Sequence, residues 1–430
     1  MAFLQLSEPG EANTWYETSD GGTRIVYEPA QTHPWNHFSK TTTANAISFY
    51  QTAFADYADY LKDIAPESQI WQWKEIFECV ALVGFIMLII AIATILLALP
   101  FFSNAVETVM PQVLSFPSGA AKWITIVILI IAVLLPGLFF SPLMDDGAGS
   151  ASMDILFYAG LLVGIFGAIM FVMNIARKNQ KSFVIGSCIM TVAGILLSIV
   201  AKTPMYQNNG FWTAIGMNSI AYWTIGCTLI SLSITSAVFV FMKSKDGLTF
   251  RNYGVTFRPS AILCGLCTAV VTFVLSYAVL FLMDAIFKAD FRIWTFAFKT
   301  FDFNIIPAIL RYLPTFLAFY LISTIGITIN TNTKATRGFW GYLLAIALNA
   351  GGAILWLARQ YITLFSTGVA AHPGSALSGI MLVAMVPTLS IAAIISRNLF
   401  KKTGSIWTAG FLNALLMTTM AIANTMVVFK

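Results

Sequence analysis

Apolar runs of about eighteen residues or more recur along most of this 430-residue chain, and nothing else limits its fold so tightly. A run of that length, coiled at ~1.5 Å per residue, crosses a hydrocarbon core of roughly 30 Å. Inside that core every backbone polar group needs a protein partner, which leaves helices or a closed barrel. A barrel would show alternating segments of roughly ten residues, and none are visible here. The chain is 58% hydrophobic and only 10% charged, whereas a soluble domain carries about a quarter charged residues. The expected fold class is an all-α polytopic membrane protein of about ten transmembrane helices, preceded by a small extracytoplasmic α/β fragment. Its expected partner is the lipid bilayer.

The predicted spans are Phe77–Phe101, Trp123–Leu143, Ile155–Ile175, Phe183–Val200, Ile220–Met242, Ala261–Phe287, Tyr312–Ile329, Phe339–Leu364, Ala376–Ile395 and Ile406–Val428. Charge then orients them. Arg177, Lys178 and Lys181 follow the third span, and Lys243, Lys245, Arg251 and Arg258 the fifth. Lys334 and Arg337 follow the seventh, and Arg397, Lys401 and Lys402 the ninth. The loops between these include acidic Met144–Asp154 and a nearly uncharged one at 203–212, while the loop after the sixth span, with Lys288, Arg292 and Lys299, breaks the charge rule. The positive-inside rule places the basic loops in the cytoplasm and both termini outside, in a cell membrane. The loop after the first span is nearly uncharged and does not vote.

The net charge of +5 is distributed accordingly. Residues 1–76 hold ten acids and four bases, and the remainder nine acids and twenty bases. Topology accounts for this asymmetry, so no nucleic-acid partner is expected. Cys264 and Cys267 spell C-x-x-C inside an apolar run without acidic or His neighbours, and are read with the other three cysteines as packing residues. No metal or cofactor is expected.

Residues 1–57 read differently. "AFLQL" forms a short apolar strand, "GEANTWYETS" a helix, "DGG" a turn and "TRIVYEP" a second strand. "AQTHPWNHFS" is a loop, and Thr42–Phe54 a helix capped by Ser39 or Thr41. This order of strand, helix, strand, His-bearing loop and final helix resembles the end of an α/β-hydrolase domain. The continuation "ESQIWQWKEIFECVALVGF" is similar to the junction in bacterial membrane-anchored fusion proteins, where a dienelactone-hydrolase-like domain outside the membrane precedes a many-span domain. The resemblance implies three parts: a C-terminal hydrolase-like fragment at 1–57, a linker and interfacial segment at 58–76, and a transmembrane domain at 77–430. It also implies that the chain is the rear part of a longer protein, completed by a hydrolase portion or a partner chain. Within it, His33 takes the place of the catalytic base, with His37 four residues on. Glu8, or less well Glu11, takes the place of the acid that orients the base.

A serine hydrolase also needs a G-x-S-x-G turn to lift its nucleophile clear of the sheet, and the sequence contains none. The expected function is therefore a membrane-embedded component of an α/β-hydrolase-family protein, catalytically incomplete alone, with ester or acyl hydrolysis outside the membrane once completed. Two other classes stay open: a transporter or channel, and a non-catalytic lipid-binding or assembly subunit. A polar cavity lined by Asn and Ser would favour transport.

Three ionisable residues fall near the predicted outer ends of successive spans: Asp284, Arg311 and Arg359. Charges at membrane depth are costly, which marks these as a possible outer-leaflet polar site. Lys288 stands one turn beyond Asp284 as an (i, i+4) partner. Phe287, Phe291, Trp294, Phe298 and Phe301 recur at helical spacing, predicting an interfacial helix. Asn174, Asn349 and Asn413 are expected to bridge helices.

Overall fold

The computed structural model describes residues 4, 6, 9–56, 64–146, 150–203, 210–240 and 247–428. The chain divides into two compact units, Met1–Phe77 and Glu78–Lys430.

In the first unit, β1 (Trp15–Glu17) and β2 (Thr23–Ile25) pair antiparallel, with Trp15 opposite Ile25. The helix expected over Gly10–Ser19 is thus replaced by one arm of a hairpin. Asn13 is left-handed (φ 62°) and its N–H donates to the Val26 carbonyl at 2.7 Å, which stops any helix there. Trp, Tyr and Thr then favour the pleated surface, and Gly21, at φ 78°, closes the turn. The predicted strand at Ala2–Leu6 falls mostly outside the described residues. A four-residue helix, α1 (His33–Asn36), interrupts the expected loop. Pro34 lies in its first turn, where its missing N–H costs nothing. Ser39 caps α2 (Lys40–Ala53), accepting from the Thr42 N–H at 3.1 Å. The Trp15 ring stacks on Phe49 of α2 at 5.6 Å. No residue of α2 is fully buried, so this unit has only a thin apolar core.

The second unit is helical. Nine helices among the described residues are long and apolar enough to cross a membrane: α3 (Trp71–Leu97), α4 (Ala120–Leu138), α5 (Ala151–Ala176), α6 (Lys181–Ala201), α7 (Ile215–Val238), α8 (Pro259–Phe287), α9 (Ile306–Thr331), α10 (Phe339–Thr367) and α11 (Ala376–Thr403). The apolar α12 (Trp407–Ala423) is shorter. The chain is thus an all-α, multi-pass membrane protein: nine of the ten predicted spans correspond to helices of spanning length, and the tenth, Ile406–Val428, to the shorter α12.

The largest local correction lies between α8 and α9. The aromatic stripe there forms no interfacial helix but a hairpin, β3 (Phe291–Ile293) and β4 (Phe296–Phe298). Trp294 turns it with a left-handed backbone (φ 52°). Phe291 and Phe298, which would have shared a helix face, are instead cross-strand partners. Both pack on Phe85 of α3, at 4.9 and 5.2 Å. All three rings are buried.

Packing follows small residues. α5 lies chiefly against α6, where Gly160, Gly164 and Gly167 meet Gly194, Thr191 and Ser198. A Cβ on Gly194 would collide with the backbone of Gly160 and Gly164, so glycine is required for this approach. Asn174 donates to the Phe183 carbonyl of α6 at 3.3 Å. Asn413 of α12 donates to the Ala392 carbonyl of α11 at 3.0 Å and to Ser396 at 2.9 Å. Asn349 of α10 accepts from Ser323 of α9 and donates to the Leu389 carbonyl of α11. All three asparagines bridge helices as expected.

The connections after α3, α9 and α11 are stitched together with the one that precedes α8. Leu114 and Thr333 form a parallel bridge. Glu107 N–H donates to Thr403 O at 2.7 Å, and Ile406 N–H to Gly254 O at 3.2 Å. Arg258 donates to the Asn104 and Val106 carbonyls, each at 2.8 Å. The nearly uncharged connection after the first span thus lies with the basic ones, at the basic end of the bundle.

Candidate functional site

The residues singled out from sequence do not assemble into one site. Glu8 lies outside the described residues. His33 is the first residue of α1 and His37 caps its C-terminus; the His33 side chain is outside what is described. Asp284 accepts from the Thr300 hydroxyl at 3.3 Å. Its expected pairing with Lys288 does not form: Lys288 takes a left-handed C-cap (φ 51°) and its N–H donates to the Asp284 backbone carbonyl. Arg311 donates to the Phe211 carbonyl at 3.3 Å, with its guanidinium 5.8 Å from the Phe211 ring. Arg359 is exposed. Among the described residues no ion pair or hydrogen bond joins Asp284, Arg311 and Arg359. No group of His, Cys, Asp and Glu among them could hold a metal.

A different arrangement occupies the bundle. One face of α7 and one face of α9 line two cavities placed one after the other along the helices. The first, of about 270 Å³, lies between these helices, α11 and α12. Its walls are largely apolar and rich in methionine: Met217, Met381, Met385, Met417 and Met420, with Thr224, Thr388, Asn424 and Thr425 among them. Methionine fills irregular space without fixing one shape, which suits a cavity that accommodates variable apolar surfaces.

The second cavity, of about 60 Å³, lies toward the basic end, between α4, α7, α9 and α10. Its lining includes Thr228, Ser231 and Thr235 of α7, Ser323 and Asn330 of α9, and Asn349 of α10. Ser323 donates to Asn349 at 2.5 Å, so these two are already engaged. No charged residue lines either cavity among the described residues.

Trp223 and Phe319 belong to the walls of both. Phe319 is near the midpoint of α9, and the two rings are 6.5 Å apart at 42°. The Trp223 indole N–H donates to the Pro136 carbonyl at 3.0 Å. That oxygen is one of the last four of α4, which have no partner inside their own helix. The indole is buried and held from the side by α4.

Proline interrupts three of the helices around the cavities: Pro136 in α4, Pro314 in α9 and Pro387 in α11. Each lacks an N–H for the carbonyl four residues earlier, so one rung of its helix is missing there. For Pro136 that carbonyl belongs to Ala132, and both residues line the hydroxyl-rich cavity.

A third cavity, of about 370 Å³, opens at the basic end and is lined by Thr331–Thr333, Arg337, Arg397, Phe400 and Lys401 with Met110, Pro111 and Val113. Arg397 was legible in sequence only as an orienting loop charge. It lies within α11, with only 2% of its surface exposed.

No protein-family model matches the chain, and neither a curated protein nor a solved structure does.

Proposed function

We propose that this multi-pass membrane protein moves a neutral, partly apolar molecule through or along the bilayer, with Trp223 and Phe319 as the barrier between two half-sites. The observation that supports this reading is their position in the walls of both cavities. The cavities differ in chemistry in the direction an amphipathic cargo would require: one is apolar and adaptable, and the other, though also largely apolar, carries Thr228, Ser231, Thr235, Ser323, Asn330 and Asn349 in its wall. The absence of charge in both walls, among the described residues, points away from an ionic cargo, since an ion stripped of water needs compensation. Pro136, Pro314 and Pro387 each leave one carbonyl of α4, α9 and α11 without its helical partner, a local weakness that a moving helix could use.

This reading is preferred to the hydrolase reading of residues 1–57. A serine mechanism needs a G-x-S-x-G turn, which this sequence lacks, and the helix expected at Gly10–Ser19 is a hairpin arm instead. Orientation is part of the proposal: the basic end faces the cytoplasm by the positive-inside rule.

Transport is tested on the purified full chain in liposomes. Glycerol entry is followed by light scattering, and movement of a fluorescent phosphatidylcholine between leaflets by dithionite quenching. Faster glycerol entry than in empty liposomes identifies a small-solute path, and faster leaflet exchange a lipid path. If both rates equal those of empty liposomes, the reading fails. Saturable binding of the labelled lipid without exchange would then favour a lipid-binding subunit.

A further inference from the structure

We propose that the cationic cavity at the basic end, built on Arg397, Lys401 and Arg337, binds a phosphate-bearing anion. This does not depend on the transport reading, because none of these residues lines either of the other two cavities.

Burial comes first. Arg397 is nearly inaccessible, and a guanidinium cannot shed its proton to escape the cost. Its Nη1 donates to the Thr331 carbonyl at 3.0 Å. Its Nη2 donates to the carbonyls of Thr336 and Arg337, the latter at 3.1 Å. These oxygens close the end of α9 and the turn after it, so they carry part of the compensating negative charge. The third nitrogen, Nε, is buried without a hydrogen-bond partner. Structural capping therefore explains two of the three donor nitrogens and leaves one unsatisfied.

The charges near it are of the same sign. Lys401 stands one turn further along α11, and its Nζ donates to the Arg337 carbonyl at 3.0 Å. The Tyr342 ring lies 5.0 Å from the Arg397 guanidinium and 4.8 Å from Lys401 Nζ, so one aromatic ring serves both cations. Among the described residues no carboxylate pairs with Arg337, Arg397 or Lys401. Glu107, the acid in the neighbouring connection, is engaged elsewhere, accepting from the Thr256 hydroxyl at 2.7 Å.

Close packing on one side holds the guanidinium in place. Gly341 approaches so closely that a Cβ there would strike both the Thr336 carbonyl and the Arg397 guanidinium. Arg337 and Lys401 are exposed, so an anion reaches the site from solvent or from the headgroup layer. Two exposed cations near a fixed, partly unsatisfied guanidinium suit a tetrahedral oxyanion, which accepts from several directions at once. A lipid phosphate and a free phosphate share that chemistry.

The experiment uses the full chain in a neutral detergent and follows its thermal unfolding midpoint and apparent Kd. Inorganic phosphate is titrated against chloride at equal ionic strength. In parallel, the chain is placed in nanodiscs of phosphatidylcholine with or without phosphatidylglycerol. Stabilisation by inorganic phosphate identifies a soluble anion, and stabilisation by phosphatidylglycerol alone identifies a headgroup site. In either arm Arg337→Gln combined with Lys401→Gln should weaken the response at least tenfold without unfolding the protein, because both side chains are exposed. Arg397→Gln should abolish the response where it folds. The proposal is overturned if neither anion stabilises the parent beyond chloride. An equal response in the double variant overturns it as well.

Discussion

The rings of Trp223 and Phe319 stand 6.5 Å apart where two cavities share a wall. Removing either ring joins the cavities. In a cysteine-free background, Ser231→Cys should react with a small impermeant reagent from the basic side alone. Adding Trp223→Ala should make it reactive from the other side as well and raise solute flux several-fold. Unchanged sidedness in that variant would mean the rings are packing and not a barrier.

Orientation has its own test. Lys401→Cys at the basic end should label in intact cells only after lysis. Val369→Cys, exposed in the connection between α10 and α11, should label before it. The reverse order would turn the molecule over in the bilayer without altering its fold.

Glycine contacts set a stability contrast. Gly194→Ala places a methyl against the backbone of Gly160 and Gly164, which cannot swing aside. A cost of ~1–3 kcal/mol follows from overpacking. Gly84→Ala in α3 meets nothing within 4 Å and should gain ~0.5–1 kcal/mol from helix propensity. Unfolding in mixed micelles separates the two, and equal midpoints would remove the α5–α6 contact from the stability account.

Asp20 gives a pH dependence outside the membrane. The Thr18 hydroxyl, at 2.5 Å, does most to hold its carboxyl below the ordinary value of 3.8, aided by the Gly22 N–H and the Arg24 charge. A depressed carboxyl stabilises the β1–β2 turn above the unfolded value, and that contribution is lost as pH falls through the folded one. An NMR titration of Asp20 should therefore have its midpoint below 3.8, moving up toward that value in Thr18→Ala. A parent midpoint at or above 3.8 contradicts the turn geometry.

The bundle was legible because apolar length decides a transmembrane helix almost alone. Ends were less so. The ninth span, expected to stop at Ile395, runs to Thr403, because Arg397 finds carbonyl partners inside the protein. Its (i, i+4) spacing from Lys401 was the signal available. The β3–β4 hairpin was missed for a geometrical reason: residues seven apart lie on one face of a helix and can also oppose each other across a short hairpin. In the same way Trp15 and Tyr16 suit helix or strand, and Asn13 decided between them. Ser231 and Ser323 have no periodic signature, so nothing local tells a cavity-lining hydroxyl from one bonded within its own helix. Asn349 was found, though as a bridge and not as part of a wall.

The backbone ties among the connections at the basic end bear on how such a molecule could change shape. Helices α3, α8, α9 and α11 are moored there through Glu107–Thr403, Leu114–Thr333, Arg258–Val106 and Gly254–Ile406. Rods fixed at one tip cannot slide past each other, but they can flex partway along. Pro314 and Pro387 are the joints at which two of them, α9 and α11, would give. Opening would then resemble fingers spreading from a closed palm, widest at the end remote from Arg397.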